Sequence, residues 1–129
     1  MGTEIETYKT IGSLKKRADF LRLQQGGEKW VTKNFILRRD QRAPASGDSP
    51  DPHPDIRFGL TVTKRMFKNA TDRNRVKRRL RSAIQNVLPT SDHKTKMDYV
   101  LIGRKEALTC DYKDLEKDLK WALKRLPQL

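Results

Sequence analysis

A chain of 129 residues with 29 lysines and arginines against 16 acids, a net charge of +13 and a 35% apolar fraction has room for one modest core and calls for a polyanionic partner. The single cysteine, Cys110, excludes an intrachain disulfide, and no apolar run is long enough for a transmembrane helix or a secretory signal, so a reducing, cytoplasmic setting is expected.

The first twelve residues are polar and read as a frayed terminus. Residues 13–127 read as a single domain with a flexible loop inside it. Ser13 is placed to cap a short helix over Leu14 to Gln25, with Leu14, Ala18 and Leu21 on one side and Gly26-Gly27 as its stop. Trp30 to Leu37 is rich in strand formers and reads as one strand. Residues 39–55 contain Pro44, Pro50, Pro52 and Pro54 among Ser, Gly and Asp, and read as a disordered loop. Ile56, Phe58, Leu60 and Val62 then alternate with Arg57, Gly59, Thr61 and Thr63, the pattern of a half-buried strand.

A basic helix follows, from about Ala70 to Leu88, with Pro89 ending it. Val76, Leu80, Ala83, Ile84 and Val87 give it an apolar stripe. From Lys64 to Arg81 the chain carries Lys64, Arg65, Lys68, Arg73, Arg75, Lys77, Arg78, Arg79 and Arg81 against one acid, Asp72. Tyr99 to Ile102 reads as a buried strand closed by Gly103. Asp111 is placed to cap a last helix with Tyr112, Leu115, Leu119, Ala122 and Leu126 in a stripe and Pro127 at its end. The sum is an α+β domain: one small sheet with helices, in the order α-β-β-(β)-α-β-α.

Arg73/Lys77, Arg75/Arg79 and Lys77/Arg81 are like charges four residues apart, a spacing that destabilises a helix unless a polyanion relieves it. A solvated face and an acidic membrane surface remain open on charge alone. The membrane reading needs an exposed apolar stripe, and the core uses the one available. Pro89 prevents a basic-region zipper. Phe20, beside Lys15, Lys16, Arg17 and Arg22, is a candidate stacking platform or a core residue. Phe35 and Phe58 read as core. His53 and His93 sit in polar loops without a motif, and Cys110 has no partner for a zinc site. Asp111, Asp114, Glu116 and Asp118 read as helix-start and solvent-face charges. Nothing builds a catalytic or metal site from protein side chains.

Phe58-Gly59-Leu60-Thr61-Val62-Thr63-Lys64-Arg65, then Asn69-Ala70, then Arg73-Asn74-Arg75-Val76-Lys77-Arg78-Arg79-Leu80-Arg81, resembles the signature of the bacterial ribonuclease P protein subunit. Leu14 to Phe20 resembles the family's first helix and Asp98 to Arg104 its late strand. The resemblance implies a sheet of about four strands with three helices and a left-handed β-α-β crossover. It implies an accessory role: a catalytic RNA with bound magnesium removes the 5′ leader of precursor tRNA, and the protein assists without catalytic side chains. Lys64, Arg65, Arg73, Asn74, Arg75, Lys77, Arg78 and Arg81 would face the catalytic RNA. Phe20, Arg17, Gln24 and Arg38 would face the precursor leader. No membrane contact, obligate protein partner or cofactor of the protein's own is implied. The chain departs from the pattern at Gln24 and Arg38, where aromatics often stand, and at Met66-Phe67-Lys68, which replaces a shorter segment ending in glycine. Two other readings remain: a nuclease acting without RNA, and a non-catalytic RNA chaperone or ribosome-associated protein of similar fold.

Overall fold

A computed structural model of the chain describes residues 11–14, 16–41, 56–88 and 97–125. In chain order these form β1 (Ile11–Ser13), α1 (Arg17–Gln25), β2 (Glu28–Val31), β3 (Phe35–Gln41), β4 (Ile56–Thr61), α2 (Ala70–Val87), β5 (Met97–Gly103), a 3-10 turn (Lys105–Leu108) and α3 (Tyr112–Arg125). The strands make one mixed sheet in the order β1-β4-β5-β3-β2. β4 runs parallel to β1 and β5, while β3 is antiparallel to both β5 and β2.

The expected α+β class and three helices are present, and the sheet has five strands rather than about four. The additional strand is β1, which begins where a frayed terminus was expected. Its three residues are too few to show a period of two. They are held by the edge of β4, and the Leu14 amide continues the pairing by donating to the Phe58 carbonyl at 2.8 Å. Ser13 therefore lies in a strand and caps nothing; α1 starts at Arg17, and Lys16 in the cap position makes no side-chain cap bond.

The single strand expected over Trp30 to Leu37 is two strands. Thr32 breaks it: its Oγ1 accepts from the backbone amides of Asn34 at 3.2 Å and Phe35 at 3.0 Å. A threonine turn of this kind has no glycine or proline to announce it. β3 then runs on through Arg39, Asp40 and Gln41, residues expected in the loop. The rest of that loop, Pro89, Leu126 and Pro127 lie outside the described residues.

Helices cover both faces of the sheet. On one face α2 and α3 bury Val76, Leu80, Ala83, Ile84, Val87, Leu115, Leu119 and Ala122 against Phe35, Leu37, Ile56, Phe58, Tyr99 and Leu101. Burial pushes the Tyr99 phenol up to about 12, opposed in part by Arg39 beside it. On the other face Leu23 of α1 packs with Leu14 and Val100, with Phe20 and Ile102 at the margin. This second layer is why β4 is buried on both faces rather than half-buried. At Gly59 a Cβ would lie 2.5 Å from Cζ of Phe20, so the close seat of α1 requires glycine there.

Candidate RNA interface

α2 turns about 100° per residue, so burying its apolar stripe fixes which cations point outward. Thr71, Asn74, Arg78 and Arg81 fall in one exposed row and, with Lys77 at its edge, line an open depression of about 530 Å³. Lys64 and Arg65 are exposed in the turn that leads from β4 towards α2. That turn is closed by the Phe67 amide on the Thr63 carbonyl at 3.0 Å and the Met66 amide on Thr63 Oγ1 at 3.2 Å. Arg75 is exposed on the flank nearer α3. Among the described residues, no ion pair within 4.0 Å involves a cation of 64–81.

Two arginines of this run are committed inward. Arg73 Nη1 donates to the carbonyls of Phe67 at 2.8 Å and Lys68 at 3.0 Å. It thereby pins the Met66-Phe67-Lys68 departure, whose Phe67 is buried in the core. Arg73, which the resemblance would have face the catalytic RNA, thus has one side of its guanidinium taken by the backbone. Arg79 Nη2 donates to the Cys110 carbonyl and lies 3.6 Å from its Sγ, tying α2 to the segment before α3.

On the opposite face of the sheet, Arg17, Phe20, Leu21 and Gln24 line a second open depression of about 420 Å³. The half-buried Phe20 packs against Gly59 and at the same time lines the depression. Leu21, 40% exposed, belongs to this surface and was not expected there. Arg38 does not line it. It lies on the sheet, half-buried, with Nη1 donating to the Leu23 carbonyl at 3.2 Å.

Arg22, counted by sequence among the cations around Phe20, is spent elsewhere. Asp98 is fully buried and receives Arg57 through Nε at 2.9 Å and Nη2 at 2.7 Å, with Arg22 Nη2 on the same Oδ2. Asp19 stands 3.8 Å from both arginines and Asp40 stands 3.6 Å from Arg22. This cluster clamps α1 to the sheet. Its sequence signal is an acid inside an apolar strand, which requires a buried cation without naming one.

Among the described residues no three His, Cys, Asp or Glu side chains gather as a metal site, and no helix is long and apolar enough to cross a membrane. His53, His93 and Lys15 lie outside the described residues. A basic row on α2 and, across the sheet, an open depression with Arg17 as its one described cation are thus both accessible.

The family model Ribonuclease P matches residues 9–127. The chain belongs to the ribonuclease P protein family. It is similar to the ribonuclease P protein component of Paramagnetospirillum magneticum, at 47% identity over 92% of this chain and 85% of the relative. Against the component from Gluconacetobacter diazotrophicus the identity is 37%, over 87% and 88% of the two chains. In fold it matches the ribonuclease P protein from Thermotoga maritima with a TM-score of 0.68, covering 90% of this chain and 98% of that one at 24% identity. The Staphylococcus aureus protein matches with a TM-score of 0.64 over 87% and 92% of the chains, also at 24% identity. As a ribonuclease P protein subunit, the chain works with the RNA of that endoribonuclease complex and assists 5′ processing of precursor tRNA.

Proposed function

We propose that the two open surfaces divide the labour of the subunit. The exposed α2 row, Asn74, Arg78 and Arg81 with Lys77, binds the catalytic RNA, joined by Lys64, Arg65 and Arg75. Arginine forks grip phosphate oxygens bidentately, and fixed cations reduce the magnesium that the RNA needs to hold its fold. The magnesium itself belongs to the RNA subunit, and the complex works in the bacterial cytoplasm. Arg73 contributes by setting the entry of α2, with its remaining donors free for RNA.

The depression of Arg17, Phe20 and Gln24 binds the precursor leader, with Leu21 widening its apolar floor. Arg38 supports α1 from below and extends positive charge across the sheet. Touching a segment that the product lacks favours precursor over product, which is differential binding rather than chemistry by the protein. The observation behind this division is that the two surfaces lie on opposite faces of one sheet, so the protein can touch two RNAs at once.

The test separates assembly from discrimination. Phe20→Ala is expected to lower the holoenzyme's affinity for precursor about tenfold, in the range of one lost base stack, with product affinity unchanged. Arg78→Ala with Arg81→Ala is expected to weaken assembly with the catalytic RNA and leave the precursor-to-product ratio alone. Loss of the ratio in the α2 variant, with none in the Phe20 variant, would reverse the assignment.

A further inference from the structure

The outer ridge of α3 is a third cationic surface. Leu115, Leu119 and Ala122 face the core, and the helical turn then places Lys113, Lys117, Lys120 and Lys124 together on the opposite side, all exposed. At 1.5 Å per residue the row spans about 16 Å. Trp121 flanks it with 50% of its surface open, and the Arg125 guanidinium stands 4.2 Å from the indole centroid.

Lysines spaced four, three and four apart repel, and a solvated helix offsets such a row with acids. α3 has three, yet two are turned to other partners. Glu116 accepts from Asn86 at 2.9 Å, and bonds from Asn86 and Tyr112, with a smaller contribution from Lys120, hold its carboxyl below the usual range. Asp118 accepts from Asn34 at 2.7 Å. These acids fasten α3 to α2 and to the β2–β3 turn, which corrects their expected role as solvent-face charges. Among the described residues none of the four lysines makes an ion pair within 4.0 Å.

Four unpaired cations and an exposed indole suit a ligand that is polyanionic and carries flat rings. RNA supplies both: phosphates for the lysines, a base for the indole. An acidic protein surface supplies only the first. A membrane would need more exposed apolar groups than one tryptophan. Which RNA follows from position. α3 lies beside α2 on the same face of the sheet, joined by Asn86 to Tyr112 at 3.0 Å and Tyr112 to Ser82 at 2.9 Å, while the α1 depression is on the other face.

We propose that the α3 ridge is a second contact with the catalytic RNA. Lys113, Lys117, Lys120 and Lys124 neutralise backbone phosphates, and Trp121, backed by Arg125, stacks an unpaired base at the end of that row. The identity of the RNA rests on the α2 assignment; the ridge as an RNA contact does not.

The test uses the full-length protein and the catalytic RNA, with dissociation constants measured across a KCl series. Lys117→Gln with Lys124→Gln is compared with an equal charge loss at the exposed Lys33 and Lys105, and with Arg78→Ala and Arg81→Ala. The ridge pair is expected to lower the log–log salt slope by about 1.5 and the low-salt affinity at least fivefold beyond the Lys33/Lys105 pair. RNA binding is expected to quench tryptophan emission in the wild type, and Trp121→Phe to abolish that quench while keeping most of the affinity. Trp121→Ala is expected to lose about five- to a hundredfold. Equal slopes for the two lysine pairs, with emission insensitive to RNA, would overturn the ridge while leaving α2 in place. Loss at the ridge with none at Arg78 and Arg81 would uphold the ridge and sink the α2 assignment. In a parallel series with precursor tRNA and the holoenzyme, a ridge defect seen there and absent with the catalytic RNA would overturn the catalytic RNA as its occupant.

Discussion

Arg57 and Arg78 carry the same guanidinium into opposite circumstances. Arg57, on the face that α1 covers, gives two hydrogen bonds to the fully buried Asp98, and Arg22 joins it there from the helix. Among the described residues, Asp19 stands close to both arginines and Asp40 close to Arg22. Arg78, on the outer side of α2, is exposed, and among the described residues no acid lies within 4.0 Å of it. One face spends Arg22 and Arg57 on holding a helix in place; the other leaves Arg78 and Arg81 open to solvent. Net charge alone cannot separate these uses. What separates them is whether the fold delivers an acceptor, a carboxylate or a backbone carbonyl, to the guanidinium.

The sharpest way to break this contrast is at its buried end. Asp98→Ala removes the buried carboxylate to which both Arg22 and Arg57 donate and is expected to cost about 3–5 kcal/mol in urea unfolding, a large part of a small domain's stability. Unchanged stability would mean that the clamp does not hold α1. Gly59→Ala pushes on Phe20 in the same layer and is expected to cost about 1–3 kcal/mol and to disturb leader binding. Gly26→Ala meets only the Arg22 carbonyl at 3.7 Å and serves as the neutral comparison, within about 0.5 kcal/mol. On α2 itself the contrast recurs between near neighbours. Arg73→Ala removes the donor to two carbonyls and is expected to cost about 1–2 kcal/mol, whereas Arg75→Ala is expected to change thermal stability by less than about 0.5 kcal/mol. Equal losses at the two positions would show that exposure does not divide structural from RNA-facing arginines.

Much of this was legible in the sequence where a period repeated. The apolar stripe of α2 and the alternation of β4 each span several repeats, and Val76, Leu80, Ala83, Ile84 and Val87 are all buried as the spacing requires. The family signature lies in the same stretch. What escaped was set by distant partners. β1 exists because β4 offers it an edge. Arg22, Arg57 and Asp98 meet across separations of 41 and 76 residues, and no local pattern pairs them. Arg73 and Arg79 look the same in sequence as Arg78, and only the carbonyls they reach set them apart. The acids of α3 read as solvent charges because Asn86 and Asn34, which take Glu116 and Asp118, come from other elements.

The most direct measurement is the affinity of the protein for the catalytic RNA across a salt series, for the wild type and for Arg78→Ala with Arg81→Ala, with melting temperatures taken alongside. Two lost phosphate contacts are expected to reduce the log–log slope by about 1.4–1.8 at unchanged melting temperature. An unchanged slope, with the fold intact, would contradict the assignment of the open α2 arginines to RNA.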